Sequence, residues 1–171
     1  MAEDRVLADG LRFPEGPVVM PDGSIILVEI AAGRITQVAP DGTKSVLADR
    51  CDGPNGLAMG PNGLLYLCNN GGFAWKEDDG ILHTAGQAED YSGGRIETFD
   101  PATGELRRLY DRCGDHLLRG PNDMVFASNG DLYFTDQGQS GLHNPVGRVF
   151  RVRAADGEVE LLLKDVPSPN G

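Results

Sequence analysis

Four short openings carry the residues best suited by type to do chemistry: Pro14-Glu15-Gly16, Pro54-Asn55-Gly56, Pro121-Asn122-Asp123 and Pro169-Asn170-Gly171. Carboxylate and carboxamide oxygens are hard donors, suited to calcium, or to magnesium or manganese as substitutes, and poorly suited to zinc or copper. A set of Glu15, Asn122 and Asn170 would leave most of a divalent charge uncompensated, and such an ion is a good Lewis acid for a bound carbonyl or phosphoryl oxygen. An inward-facing Glu15 needs a partner of this kind. The same asparagines are also good turn and strand-entry residues whose side chains satisfy nearby backbone, and Asn55 is read as structural on that ground. His83, His116 and His143 show no His-x-His or His-x-x-x-His spacing and read as loop residues.

Residues so distant in sequence converge only if a repeat brings them to one axis, and the chain contains one. Glu15 to Asp22, Asn55 to Asn62 and Asn122 to Asn129 are each seven residues apart, and each is followed by Gly. Fourteen residues after each opening residue stands a polar side chain, Glu29, Asn69 or Asp136, at the end of an apolar run. A hairpin is the simplest reading of that spacing. A second hairpin starts with Gly-Arg (Gly33-Arg34, Gly94-Arg95, Gly147-Arg148) and closes on a strand ending at Asp49, Asp111 or Asp165. Four strands per unit follow. The openings recur after 40, 67 and 48 residues, and removing residues 71–92 brings the middle interval to 45. Four short strands on this period predict an all-β protein built of β-propeller blades.

The expected organisation is a first blade over 11–51, a second over 52–113 with an insert at 71–92, a third over 114–166, and the start of a fourth at 167–171. Residues 1–10 read as a strand belonging to a last blade that is absent, because Val6-Leu7-Ala8-Asp9 repeats the blade-closing Val46-Leu47-Ala48-Asp49. About three blades form an open arc with uncovered flanks, so further C-terminal blades, self-association or a partner is expected to complete it. The polar insert reads as a lid or binding loop, with Trp75 either lining a pocket or anchoring the loop.

With 24 Gly and 11 Pro the chain has the turn density of many short strands. A net charge of -11 argues against nucleic acid as a partner. No apolar stretch is long enough to span a membrane and Met1–Gly10 lacks a signal core, which makes a cytoplasmic location the expectation. Cys51, Cys68 and Cys113 have neither disulfide parity nor zinc spacing and read as reduced.

Phe13-Pro14-Glu15-Gly16-Pro17, the run Gly120-Pro121-Asn122-Asp123-Met124-Val125 with Leu132-Tyr133-Phe134-Thr135-Asp136, and Pro169-Asn170-Gly171 resemble the gluconolactonase, senescence marker protein and regucalcin family. That family is similar to the diisopropylfluorophosphatase-type and drug-responsive lactonase propellers. The resemblance implies a six-bladed propeller with a divalent metal, usually calcium, in its channel and hydrolysis of small lactones, including those of sugar acids. It maps the metal ligands onto Glu15, Asn122 and Asn170; the remaining ligand, an Asp of a later blade, has no counterpart here. It makes Asp123 either a catalytic proton acceptor or a carboxylate supporting the metal ligands, and Arg119, Asp136 and Asn69 candidates for holding substrate. Gln137-Gly138-Gln139 departs from the Pro-containing loop of bacterial relatives. A calcium- or sugar-binding propeller without catalysis, a phosphotriesterase-type hydrolase and a pure interaction scaffold are the competing readings.

Overall fold

The computed structural model describes residues 5–49, 51–138 and 146–171; the loop carrying His143 lies outside them. Strands dominate, and among the described residues the helical element is one 3-10 turn, Ile30–Ala32. The first four-stranded sheet runs in sequence order through β1 (Pro14–Val19), β2 (Ile25–Glu29), β3 (Arg34–Val38) and β4 (Lys44–Ala48). The second holds β5 (Pro54–Met59) and β6 (Leu65–Asn69), then leaves the sheet for a separate hairpin, β7 (Phe73–Asp78) and β8 (Ile81–Gln87), before β9 (Arg95–Phe99) and β10 (Leu106–Tyr110) complete it. A small two-stranded ribbon, β11 (Arg112–Cys113) and β12 (His116–Leu117), leads to the third sheet, β13 (Pro121–Phe126), β14 (Leu132–Asp136), β15 (Gly147–Val152) and β16 (Val159–Val166). All pairings are antiparallel. These are three propeller-type blades in an arc.

Why the second strand of a blade carries so little polar alternation follows from its place between two neighbours. Leu65 and Leu67 of β6 enter a core shared with Ile26, Val28 and Ile35 of the first blade, while Cys68, and Tyr66 beside it, join Phe134 and Phe150 of the third. Successive side chains leave opposite faces of a strand, and here both faces meet another sheet. Phe99, Phe134 and Phe150 are fully buried, each stabilising the arc by roughly 2–3 kcal/mol through apolar burial. Phe134 stacks on Phe150 with ring centroids 5.0 Å apart. At the ends of the arc Val19 and Val125 stay 73% and 63% exposed, which marks faces that no further sheet covers in this chain.

The inner hairpins turn by one repeated device. Asp22, Asn62 and Asn129 each accept, through a side-chain oxygen, the N–H of the residue two positions on. Gly23, Gly63 and Gly130 then take φ of 82°, 79° and 88°, a region closed to most side chains. Residues 5–9, expected as a strand, pair with no strand here. They lie along the β3–β4 turn, where Arg5 donates to the Pro40 carbonyl and Lys44 to the Asp9 carbonyl.

Candidate functional site

Each inner strand is irregular at the same place, between Glu15 and Val18, between Pro54 and Leu57, and between Pro121 and Met124. A bulge re-aims the side chains beside it. The three bulges turn Glu15, Asn55 and Asn122 into one cleft of about 390 Å³, which Gln137 and Asn170 also line. Phe13, Ile30 and Phe73 form an apolar wall, and Thr84 and Gly86 of β8 lie against it. All four opening residues therefore share one cavity. Spacing between them is set by glycine: a Cβ on Gly16 would stand 2.5 Å from the Leu57 nitrogen, and one on Gly56 2.5 Å from the Asn122 carbonyl oxygen. Only a bare α-carbon lets adjacent openings lie that close.

Asn55 and Asn122 are 5% and 8% exposed, and among the described residues neither carboxamide hydrogen-bonds to a protein group. Their amide atoms keep access to the cleft, so the two unpartnered carboxamides beside a carboxylate are open to a ligand as well as to water. Asn55, read from sequence as structural, belongs to the cleft. The donor chemistry fits a hard divalent cation, although no group of three or more His, Cys, Asp or Glu gathers among the described residues. Glu15 and Asn170 are exposed at the rim.

Glu29, Asn69 and Asp136 do not line this cleft. They pair across their hairpins with Pro14, Pro54 and Pro121, directly before the opening residues. Glu29 accepts the Arg12 N–H at 2.7 Å, a Thr36 hydroxyl and two donors of the Arg34 guanidinium. The Asn69 side-chain oxygen accepts the N–H groups of Gly53 and Gly71, and its amide nitrogen donates to Glu97 and the Cys51 carbonyl. Asp136 accepts the N–H groups of Arg119, Gly120 and Gly138, each at 2.8 Å. Each side chain thus clamps the segment leading into its opening. Burial raises the Asp136 carboxyl above the ordinary aspartate value against the pull of those three donors. Around Glu29 burial also works upward, but hydrogen bonds from Arg34, Thr36 and Arg12 outweigh it and hold the carboxyl low.

Asp123 does not line the cleft, although its carboxylate lies beside the neighbouring opening, Oδ1 standing 2.7 Å from where a Cβ on Gly56 would be. Its carboxylate caps the Met124 N–H at 2.8 Å and lines a shallow depression with Val125, Tyr133 and Val149 on the uncovered face of the third blade. Arg119 also points elsewhere, into a separate cleft, its N–H held by Asp136 and its carbonyl by the Tyr91 hydroxyl. The insert is a hairpin fastened to the first blade: Trp75 packs on Phe13 at 5.0 Å and on Phe73 at 6.1 Å, and Arg12 faces Glu77 at 3.8 Å. Phe13 and Phe73 touch the cleft; Trp75 supports them from behind. Burial pushes the Cys51 thiol up to about 12 and the Cys68 thiol well above its ordinary value, so neither serves as a nucleophile.

Residues 13–171 match the family model described as the SMP-30/Gluconolactonase/LRE-like region. A gluconolactonase of Zymomonas mobilis is 25% identical over 97% of this chain and 47% of its own length. Lactonase drp35 of Staphylococcus haemolyticus is 31% identical over 98% of this chain and 46% of its own. A solved structure described as a gluconolactonase superposes with a TM-score of 0.73 at 26% identity, covering 98% of this chain and 54% of that one. A regucalcin from Agrobacterium tumefaciens, described as calcium-binding, shares the fold at a TM-score of 0.58 and 18% identity, over 91% of this chain and 44% of its own. The chain spans about half the length of the relatives it matches.

Proposed function

Because the chain belongs to the SMP-30/gluconolactonase/LRE-like family, we propose that it forms the metal-facing arc of a hydrolase that opens small lactone rings, sugar-acid lactones among them. The observation that carries this reading is the convergence of Glu15, Asn55, Asn122 and Asn170 on one cleft with two carboxamides unpartnered. These four residues would hold the cation, calcium by preference and magnesium or manganese as substitutes. When bound, it supplies Lewis acidity to a carbonyl oxygen and charge complementary to an oxyanion. The chain's own residues do the rest of the binding. Phe13, Ile30 and Phe73 cover the carbon face of a ring and exclude water from it, and the amide N–H groups of the asparagines remain to hold ring hydroxyls. In the net reaction a water oxygen bonds to the acyl carbon, the acyl C–O bond breaks, and the ring oxygen takes up a proton to give a hydroxy acid.

Glu15 is the one carboxylate among the described residues lining the cleft. Asp123 does not line the cleft, so among the described residues no second carboxylate lines it with Glu15 to take the proton of an attacking water. That observation favours a second reading for the chain alone, in which it binds cation and substrate without turnover.

Calcium titration and native mass measurement on the purified chain, followed by a lactone panel read by acid release with and without chelator, test both readings. Calcium binding that Glu15→Gln weakens by about tenfold or more is expected, one charged ligand contributing at least that much. Hydrolysis that chelation abolishes supports the enzyme, and binding without hydrolysis supports the second reading. Turnover surviving thorough chelation would sink the metal-dependent mechanism.

A further inference from the structure

A second cleft, of about 440 Å³, lies beside the first, on the other side of β8 and the Gln137-Gly138 step: Gly86 and Gln137 line one, Gln87 and Gly138 the other. Its walls come from the end of the inserted hairpin, the glycine turn before β9, and the segment that enters the third blade. Two guanidinium groups, those of Arg108 and Arg119, stand at its edge with Tyr91, Ser92 and Gln87. In a chain where Asp and Glu outnumber Lys and Arg 26 to 15, most cations have a carboxylate partner. Arg108 and Arg119 form no ion pair among the described residues. The carboxylate of Asp111, also in this cleft, is taken by Arg112 at 3.2 Å.

The cleft is also held in shape. Arg95, its side chain 6% exposed, bonds Glu97 at 2.6 Å, Asp52 at 2.7 Å, the Ser92 hydroxyl and the Gly93 carbonyl, which locks the glycine turn. The peptide of Arg119 is fixed at both ends, by Asp136 on its N–H and Tyr91 on its carbonyl. The peptide is fixed while the exposed guanidinium carries no ion pair, which leaves its fork available to a carboxylate at the cleft edge. Leu117 and Leu118 add an apolar flank.

We propose that this second cleft binds a small hydroxy-carboxylate anion, with Arg108 and Arg119 engaging the carboxylate and the Gln87 amide, which also lines the cleft, taking a hydroxyl. The choice of an anion rests on the two arginines at one cleft edge. The choice of a hydroxy acid rests on the lactonase reading, since ring opening generates that class, and a site beside the opening cleft would receive the product or report its level.

Calorimetric titration of the whole chain with sodium gluconate in the presence of chelator separates this site from the cation site, because no metal is bound. Saturable gluconate binding is expected, with neutral glucose showing none. Arg119→Gln and Arg108→Gln each weaken it about tenfold, the loss of one charge-assisted contact, and the double variant abolishes it. Glu15→Gln leaves it unchanged. Both arginines are exposed, so the variants fold, as circular dichroism will register. No saturable gluconate binding, binding that survives in the double variant, or binding lost in Glu15→Gln but kept in the arginine variants would each overturn the assignment. Failure here leaves calcium binding and lactone turnover untouched, so the two readings fall separately.

Discussion

The first and third blades hold their openings with a carboxylate at the same register, yet the two carboxylates sit in opposite electrostatic circumstances. Glu29 shares its buried position with a guanidinium, a hydroxyl and one backbone N–H. Asp136 has three backbone N–H donors. In the middle blade the neutral Asn69 serves, with Glu97 accepting from its amide nitrogen. What recurs is the acceptor oxygen, while charge is optional. The repeat therefore conserves a geometric task and leaves each blade to balance its own electrostatics, as a hydrogen-bond acceptor is required wherever backbone N–H groups are buried.

Removing the acceptor in the third blade should have the largest effect. Asp136→Ala strands three N–H groups, those of Arg119 and Gly120 in the segment that leads into Asn122 and that of Gly138 beyond β14, and should cost about 3 kcal/mol or prevent folding, read by urea unfolding. Glu29→Gln keeps an acceptor oxygen and loses the charge beside Arg34, whose side chain is 32% exposed and can recruit water; about 2 kcal/mol is expected. If the two variants lost equal stability, the distinction between the clamps would not hold. The subtlest test is pH dependence. Glu29 is held below the ordinary glutamate value of 4.5, so its contribution is present above that pH and is lost as pH falls through the folded value. Asp136 is raised above 3.8, so the folded state takes up its proton first and this carboxyl favours folding progressively as pH falls toward 3.8. Unfolding series should show the margin of the native protein over Glu29→Gln shrinking on acidification below 4.5, and the native protein gaining on Asp136→Asn as pH falls toward 3.8. Parallel curves would break the comparison.

The blade pattern could be read from the sequence because it is written in local chemistry. Asx-Gly turns at one offset, Gly-Arg at the start of each third strand and a polar residue fourteen positions after each opening are all short-range signals. The opening residues could be found because the repeat puts them at equivalent places, but Asn55 was assigned to turn chemistry since nothing in its own segment shows that its amide lacks a partner. Asn69 and Asp136 were expected to face substrate. The corrective signal was present: the same position in the first blade is also polar, and a polar residue in every blade points to a duty of the blade rather than of a site. Two features had no local signature. The β7–β8 hairpin is solvent-exposed along most of its length, so no alternation of apolar and polar residues marks it. The second cleft is assembled from residues of the second blade, its insert and the third blade, each stretch ordinary alone.

That hairpin is a sheet of its own, joined to the second blade through Gly71-Gly72 at one end and Gly93-Gly94 at the other, and resting on the first blade through Trp75. The four strands of its blade pair without it, β6 running directly beside β9. A segment tied on in this way can be lengthened, shortened or exchanged with little penalty to the rest, because loop closure grows only slowly with length. Since one strand of it borders both clefts, an insertion or recombination event confined to this hairpin would revise two binding surfaces at once while the inherited blades stay as they are.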